Sequence, residues 1–156
     1  MALTTGMRQG ELLGLKWEDV DLEARSIRVR QTLSTAMGGG VSFNPPKTAK
    51  SRRRIRLTEL AVSSLRRHRR AQFEQRMRLA GLWKDYDLVF TTGVGTPMSR
   101  ADLITRSFKP LLKKAGLPDI RYHDLRHTCA TLLLGKGVHA KLVQELLGHS
   151  TIAINP

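Results

Sequence analysis

Arg8, the pair His123 and Arg126, and His149 stand apart from the general basic surface of this sequence by their surroundings. Arg8 sits in Thr4-Thr5-Gly6-Met7-Arg8-Gln9-Gly10-Glu11-Leu12, among residues suited to a buried helix start. Arg126 sits in His123-Asp124-Leu125-Arg126-His127 on an apolar-rich helix, and His149 follows a glycine at the end of another. From Leu117 onward the only Lys or Arg residues are Arg121, Arg126, Lys136 and Lys141, against Asp119, Asp124 and Glu145, so Arg126 is not one more member of a basic patch. Residues three apart on a helix have Cβ atoms about 5–6 Å from each other, which puts His123 and Arg126 side by side. A guanidinium offers two parallel donors and a permanent charge, and an imidazole exchanges a proton near neutrality. Together they can receive one phosphate group. A second arginine from a distant part of the chain, Arg8, can close a clamp over a phosphoryl transition state, whose charge must be met by fixed donors. The plainer alternative is that Arg8 caps a helix or pairs with Glu11, and that His123 is a capping or partly buried histidine.

Other chemistries fit less well. His123 and His127 are four apart, as in a zinc protease helix, but Asp124 stands where the metalloprotease glutamate would be, and Arg126 would repel a metal. Lys47-Thr48 and Lys50-Ser51 lack the glycine-rich lead-in of a nucleotide-binding loop. No cluster of carboxylates offers magnesium a two-metal site. Phosphodiester chemistry here would therefore be free of metal and cofactor, and would use Arg, His and Lys.

The charge points the same way. Twenty-seven Lys and Arg against thirteen Asp and Glu give a net charge of +14. Twelve of the basic residues fall between Lys47 and Arg78, opposed only by Glu59 and Glu74. A field of one sign this concentrated attracts a polyanion. No aromatic residues interleave the densest part of the stretch, which favours backbone contacts to a duplex over base stacking on single strands. The only cysteine is Cys129, so no intramolecular disulfide can form; an intracellular, cytoplasmic setting is expected, with nucleoid association when bound to DNA. No apolar run approaches the ~20 residues of a membrane span, and residues 1–5 do not resemble a signal peptide.

Elements that position these groups can be read from periodicity. A helix is expected around Glu11, Leu12, Leu13, Leu15 and Trp17. Ile27–Arg30, Val41 with Phe43, and Arg54–Leu57 read as three strands of one small antiparallel sheet with a cationic face, Gly38–Gly40 as a flexible connection, and Lys47–Arg53 as a basic loop. Thr58 caps a long helix with an apolar stripe of Ala61, Leu65, Phe73 and Met77, ending near Gly81. Ser99 caps another, with Leu103, Phe108, Leu111 and Leu112 as core candidates and a kink expected at Pro110. Two short helices follow, His123–Leu134 and His139–Leu147. The expected fold class is mainly α with a small three-stranded antiparallel sheet (α+β), as one domain over residues 1–156.

Taken in order, Thr5-Gly6-Met7-Arg8-Gln9-Gly10-Glu11-Leu12, Leu15-Lys16-Trp17-Glu18-Asp19-Val20-Asp21, Pro46-Lys47-Thr48 through Leu57, His123-Asp124-Leu125-Arg126-His127-Thr128 and Leu146-Leu147-Gly148-His149-Ser150 resemble the catalytic domain of the tyrosine recombinases, the phage integrase family. The resemblance covers nearly the whole chain. It implies that Arg8 and Arg126 hold the scissile phosphate, that His149 donates to a nonbridging oxygen, and that His123 assists removal of the nucleophile's proton. It implies a lysine on the loop before the Arg54–Leu57 strand as the acid that protonates the departing 5′ oxygen, Lys47 being favoured and Lys50 the fallback. Glu11 resembles the acidic residue that orients Arg8. Lys50, Arg52, Arg53, Arg54, Arg56, Arg66, Arg67 and Arg70 are expected to contact the DNA backbone.

The implied activity is site-specific recombination through a 3′-phosphotyrosyl intermediate on double-stranded DNA, as in prophage integrases. Complete members assemble as multimers on DNA. The family's nucleophilic tyrosine would fall just beyond Pro156. The expectation is thus a truncated catalytic domain without its DNA-clamping domain and tyrosine segment, monomeric in free solution and inactive alone. Tyr122, the one tyrosine close to the motif residues, is expected to pack with its side chain directed away from His123 and Arg126. The alternatives are a non-catalytic DNA-binding remnant or regulator and, with less to explain the motif residues, an RNA-associated basic protein.

Overall fold

A computed structural model describes residues 1–36, 40–46 and 51–148. The apolar N-terminal segment forms two short helices, α1 (Ala2–Thr5) and α2 (Gln9–Leu13). Gly6 makes the break between them, with φ +61 in the left-handed region where a side chain is strained. A Cβ on Gly6 would also overlap Leu147 Cδ2, so the missing side chain lets the last helix approach. Arg8 is the extended N-cap residue of α2, and the Glu11 carboxylate reaches back to accept its backbone N–H at 2.9 Å. That contact satisfies one donor that a helix start leaves without an intrahelical partner.

Two separate antiparallel units replace the single sheet expected from the sequence. The three-stranded sheet has the order β1 (Val20–Asp21), β2 (Ser26–Val29), β5 (Arg53–Arg56), with Ile27 opposite Ile55 and Arg28 opposite Arg54. Ile27, Val29 and Ile55 are buried while Arg28, Arg54 and Arg56 face outward, the period of two that alternation requires. The strand containing Val41 and Phe43 is not part of it. It forms β4 (Val41–Asn44) and pairs with β3 (Thr32–Thr35) as a two-stranded ribbon, Leu33 opposite Phe43. A short connection brings neighbouring strands together at little entropic cost, so local pairing wins over a longer return to β2. Residues 37–39, within or beside the expected glycine connection, lie outside the described residues.

Thr58 caps α3 (Glu59–Leu79), its hydroxyl oxygen accepting from Ala61 N–H at 3.2 Å. Ala61, Val62 and Leu65 join Met7, Leu12, Leu15, Ile27, Val29, Ile55 and Leu57 in one core. The expected stripe does not continue: Phe73 and Met77 are exposed, because only the first turns of α3 lie over the sheet. Further on, Trp17, His68 and Phe90 stack beside α3. The helix stops at Leu79, ahead of a tight turn over Ala80–Leu82.

Ser99 caps α4 (Arg100–Asp102), as its spacing predicts. The chain then widens into a π-helical stretch, Leu103–Phe108, before α5 (Lys109–Lys114). Pro110 cannot donate a backbone hydrogen bond, and the expected kink is taken up as this wide turn just before it. Phe108 and Leu112 are buried there, whereas Leu111 is exposed. The last elements are α6 (Asp124–Gly135) and α7 (Ala140–Leu147), which pack on each other and bury Arg126, Cys129, Val143 and Leu147.

Candidate functional site

The end of α7 is where the site is assembled. A helix leaves its last carbonyls without intrahelical partners and carries a partial negative charge there. Three consecutive carbonyls at this end, those of Leu146, Leu147 and Gly148, each accept from a different arginine. Arg53 Nε donates to Leu146 O at 2.5 Å, Arg126 Nη2 to Leu147 O at 2.5 Å, and Arg8 Nη2 to Gly148 O at 3.2 Å. The three arginines come from β5, the first turn of α6 and the start of α2.

Arg126 is only 4% exposed and also donates to Gly6 O through Nη1, so both ends of its fork are fixed to backbone. Burial, and then the neighbouring charge of Arg8, pull its pKa down to about 10. It is still a cation at neutral pH. Arg8 is more open, with 41% of its side chain exposed, and its Nη1 lies 3.0 Å from Glu11 Oε1. Glu11, 3% exposed, holds two arginines at once. Its oxygens also accept from Arg53 Nη1 at 3.1 Å and Nη2 at 3.0 Å. Burial alone would raise the Glu11 carboxyl, but the hydrogen bonds and charges of Arg53 and then Arg8 outweigh it and hold the group below its ordinary value.

Arg8, His123 and Arg126 line one cavity of about 50 Å³, together with Ala2, Met7, Gln9 and Tyr122. The two arginines separated by most of the chain therefore face a common space. His123 is the N-cap residue of α6, edge-on to His127 with ring centroids 5.0 Å apart. Burial, then the charges of His127 and Arg126, lower its pKa, which favours the neutral ring able to accept a proton. Among the described residues, no group of three or more His, Cys, Asp or Glu is placed to hold a metal ion, and no helix is long and apolar enough to cross a membrane.

Not every expected site residue lies at this cavity. Lys47, Lys50 and His149 lie outside the described residues. Arg52, Arg54 and Arg56 are exposed around β5, and Arg66, Arg67 and Arg70 are exposed along α3, where Arg66 pairs with Glu23 and Arg70 with Glu74. Arg53, expected among the DNA-backbone contacts, lies inside the fold rather than at its surface. Its side chain is 6% exposed and its donors are engaged by Glu11, Leu146 O and Ser51 O. The signal was present in the sequence: Arg53 is two residues before Ile55 and so shares the inward face of the strand. The expectation for Tyr122 is corrected. It lines the same cavity as His123 and Arg126 rather than turning away, and it packs edge-on against Phe108 at 5.2 Å. Burial pushes its hydroxyl up to about 12, so it stays protonated at neutral pH.

A family model described as "Phage integrase family" matches residues 1–155. The chain belongs to the phage integrase family. Among the relatives of this integrase-family chain, a "Tyrosine recombinase XerC-like" of Caldanaerobacter subterraneus is 36% identical over 167 residues, covering 99% of this chain and 42% of the relative. The "ICEBs1 integrase" of Bacillus subtilis is 33% identical over 152 residues, covering 97% of this chain and 40% of the relative. Among solved structures, the Tn1549 transposon integrase in complex with circular intermediate DNA superposes with a TM-score of 0.78 at 29% identity, over 96% of this chain and 50% of that one. A XerA recombinase superposes at 0.74 with 29% identity, over 97% and 48%. The integrase-family chain thus spans less than half the length of these two relatives, and its α+β fold is that of tyrosine recombinase catalytic domains.

Proposed function

We propose that this chain is the catalytic-domain portion of a site-specific recombinase that breaks and rejoins double-stranded DNA through a 3′-phosphotyrosyl intermediate. The observation that carries this reading is the convergence of Arg8 and Arg126 on one cavity, with His123 at its edge. Two guanidinium groups fixed in advance can meet the charge that develops on a phosphodiester under attack, and they need no reorganisation to do so. Arg8 and Arg126 hold the nonbridging oxygens, with His149 as a further donor. His123 accepts the proton of the attacking tyrosine, and Lys47, or Lys50 in its place, protonates the departing 5′ oxygen. Glu11 keeps Arg8 aimed at the cavity. The exposed arginines of β5 and α3 attract the duplex backbone, which positions DNA without reading its sequence.

The relatives support this reading by their kinship and by the DNA complex of the Tn1549 integrase. The test is a suicide duplex with a nick beside the scissile phosphate, incubated with a chain that carries a tyrosine downstream of His149. A covalent protein–DNA adduct is expected, and Arg8→Ala together with Arg126→Ala should abolish it. Adduct formation that survives both changes refutes the clamp. Tight duplex binding without any adduct, on the cognate site, leaves the non-catalytic DNA-binding reading instead.

A further inference from the structure

Arg53 does not line the cavity, yet it is bonded to two of the parts that hold the lining arginines, Glu11 on α2 and the last carbonyls of α7. Its fork holds Glu11 through two bonds of 3.1 and 3.0 Å, and Glu11 in turn holds Arg8. Its Nε donates to Leu146 O, one residue before the carbonyl that anchors Arg126 and two before the one that anchors Arg8. Its Nη1 also donates at 3.1 Å to the carbonyl oxygen of Ser51, the residue that follows Lys50 in the sequence. Gly148 is pressed so closely on it that a Cβ there would stand 3.0 Å from Nη1. What separates Arg53 from Arg126, whose donors are also bonded to the protein, is that Arg126 lines the cavity and Arg53 lies behind it.

We propose that Arg53 is a positioning residue of the phosphate site, a buried tie that locks Glu11, the end of α7 and Ser51 in one arrangement, so that Arg8 and Arg126 bind one phosphate together. This rests on the phosphate-clamp reading above and adds a residue that never meets the substrate. The planar fork is required, because a single ammonium cannot bridge both Glu11 oxygens and reach Leu146 O as well.

The test is a titration of inorganic phosphate into the 15N-arginine-labelled chain, following the Nε–H signals of Arg8, Arg126 and Arg53. In the unaltered chain, Arg8 and Arg126 are expected to shift with one common Kd. Arg53→Lys keeps a charge beside Glu11 but loses the fork. Loss of one well-aimed charged contact corresponds to about a tenfold rise in that Kd, measured on protein that is folded by its spectrum and thermal transition. A merely structural role would lower Tm and leave the Kd of the folded protein unchanged. If Arg53→Lys does not fold in plain buffer, it and the unaltered chain are titrated in sucrose, which favours the folded state; its Kd should rise in the same direction. An unchanged Kd in a folded variant overturns the role of Arg53 while the clamp stands. No response at Arg8 or Arg126 in the unaltered chain overturns the clamp itself, and the role of Arg53 with it.

Discussion

Replacing Glu11 with Gln keeps the shape of the side chain and removes its charge. Glu11 is 3% exposed and the side chain of Arg53 is 6% exposed, so water does little to screen the pair. The amide can accept from one arginine, but the Arg53 guanidinium keeps its charge with no counterion. Removing one partner of a buried ion pair typically costs about 3–5 kcal/mol, most of it the penalty of the charge left behind. For a domain of this size each kcal/mol shifts Tm by about 2–4 °C, so Tm should fall by roughly 6–20 °C. Removing both charges with Glu11→Leu and Arg53→Met takes away the buried unpaired cation but still leaves Arg8 without its carboxylate and Leu146 O without its donor, so only part of the loss should be recovered.

The pH dependence has a definite sign. The folded-state pKa of Glu11 is depressed, so its contribution is fully present above the ordinary glutamate value of about 4.3. The contribution is lost as pH falls through the lower folded value. Urea denaturation of the wild-type chain and Glu11→Gln at several pH values is the assay. The stability gap should be constant near neutrality and shrink as the solution is acidified below about pH 4.3. A gap under about 1 kcal/mol at pH 7, the scale of a surface pair, would refute the buried bridge.

Gly6→Ala forces a side chain into the left-handed region and against Leu147 Cδ2, and should destabilise the fold by about 2–4 kcal/mol in the same denaturation assay. Arg54→Ala and Arg53→Ala, adjacent on one strand, should separate cleanly. The exposed Arg54 should leave stability within about 0.5 kcal/mol and weaken duplex binding, whereas Arg53→Ala should act first on thermal stability. Duplex affinity should fall steeply with salt. If the six exposed arginines Arg52, Arg54, Arg56, Arg66, Arg67 and Arg70 all meet phosphates, the slope of log K against log salt approaches about −5, and a flat plot would exclude backbone contacts by this surface.

Helix caps, strand alternation and the charge excess were legible in the linear sequence because each is a local property. Thr58 and Ser99 cap where their spacing says, and Arg54, Ile55 and Arg56 alternate out, in, out. The stripe on α3 could not show where its burial ends, because Phe73 and Met77 have the right period but no element lies over them. Pairing of β4 with β3 was equally hidden, since Thr32–Thr35 carries a single large apolar residue, Leu33, and does not read as a strand from the sequence.

The motif residues could be named from their order along the chain, and that order cannot say which of them meet. Arg53 and Arg54 are chemically identical and adjacent, yet one is sealed against Glu11 and the other faces solvent. That difference comes from how β5 lies against α2 and the end of α7. Local chemistry supplied the candidates for the site: guanidinium groups, imidazoles and one carboxylate. Packing alone selected Arg8 and Arg126 to face a shared cavity and turned Arg53 behind it, because charge and shape at that point depend on residues up to 140 positions apart.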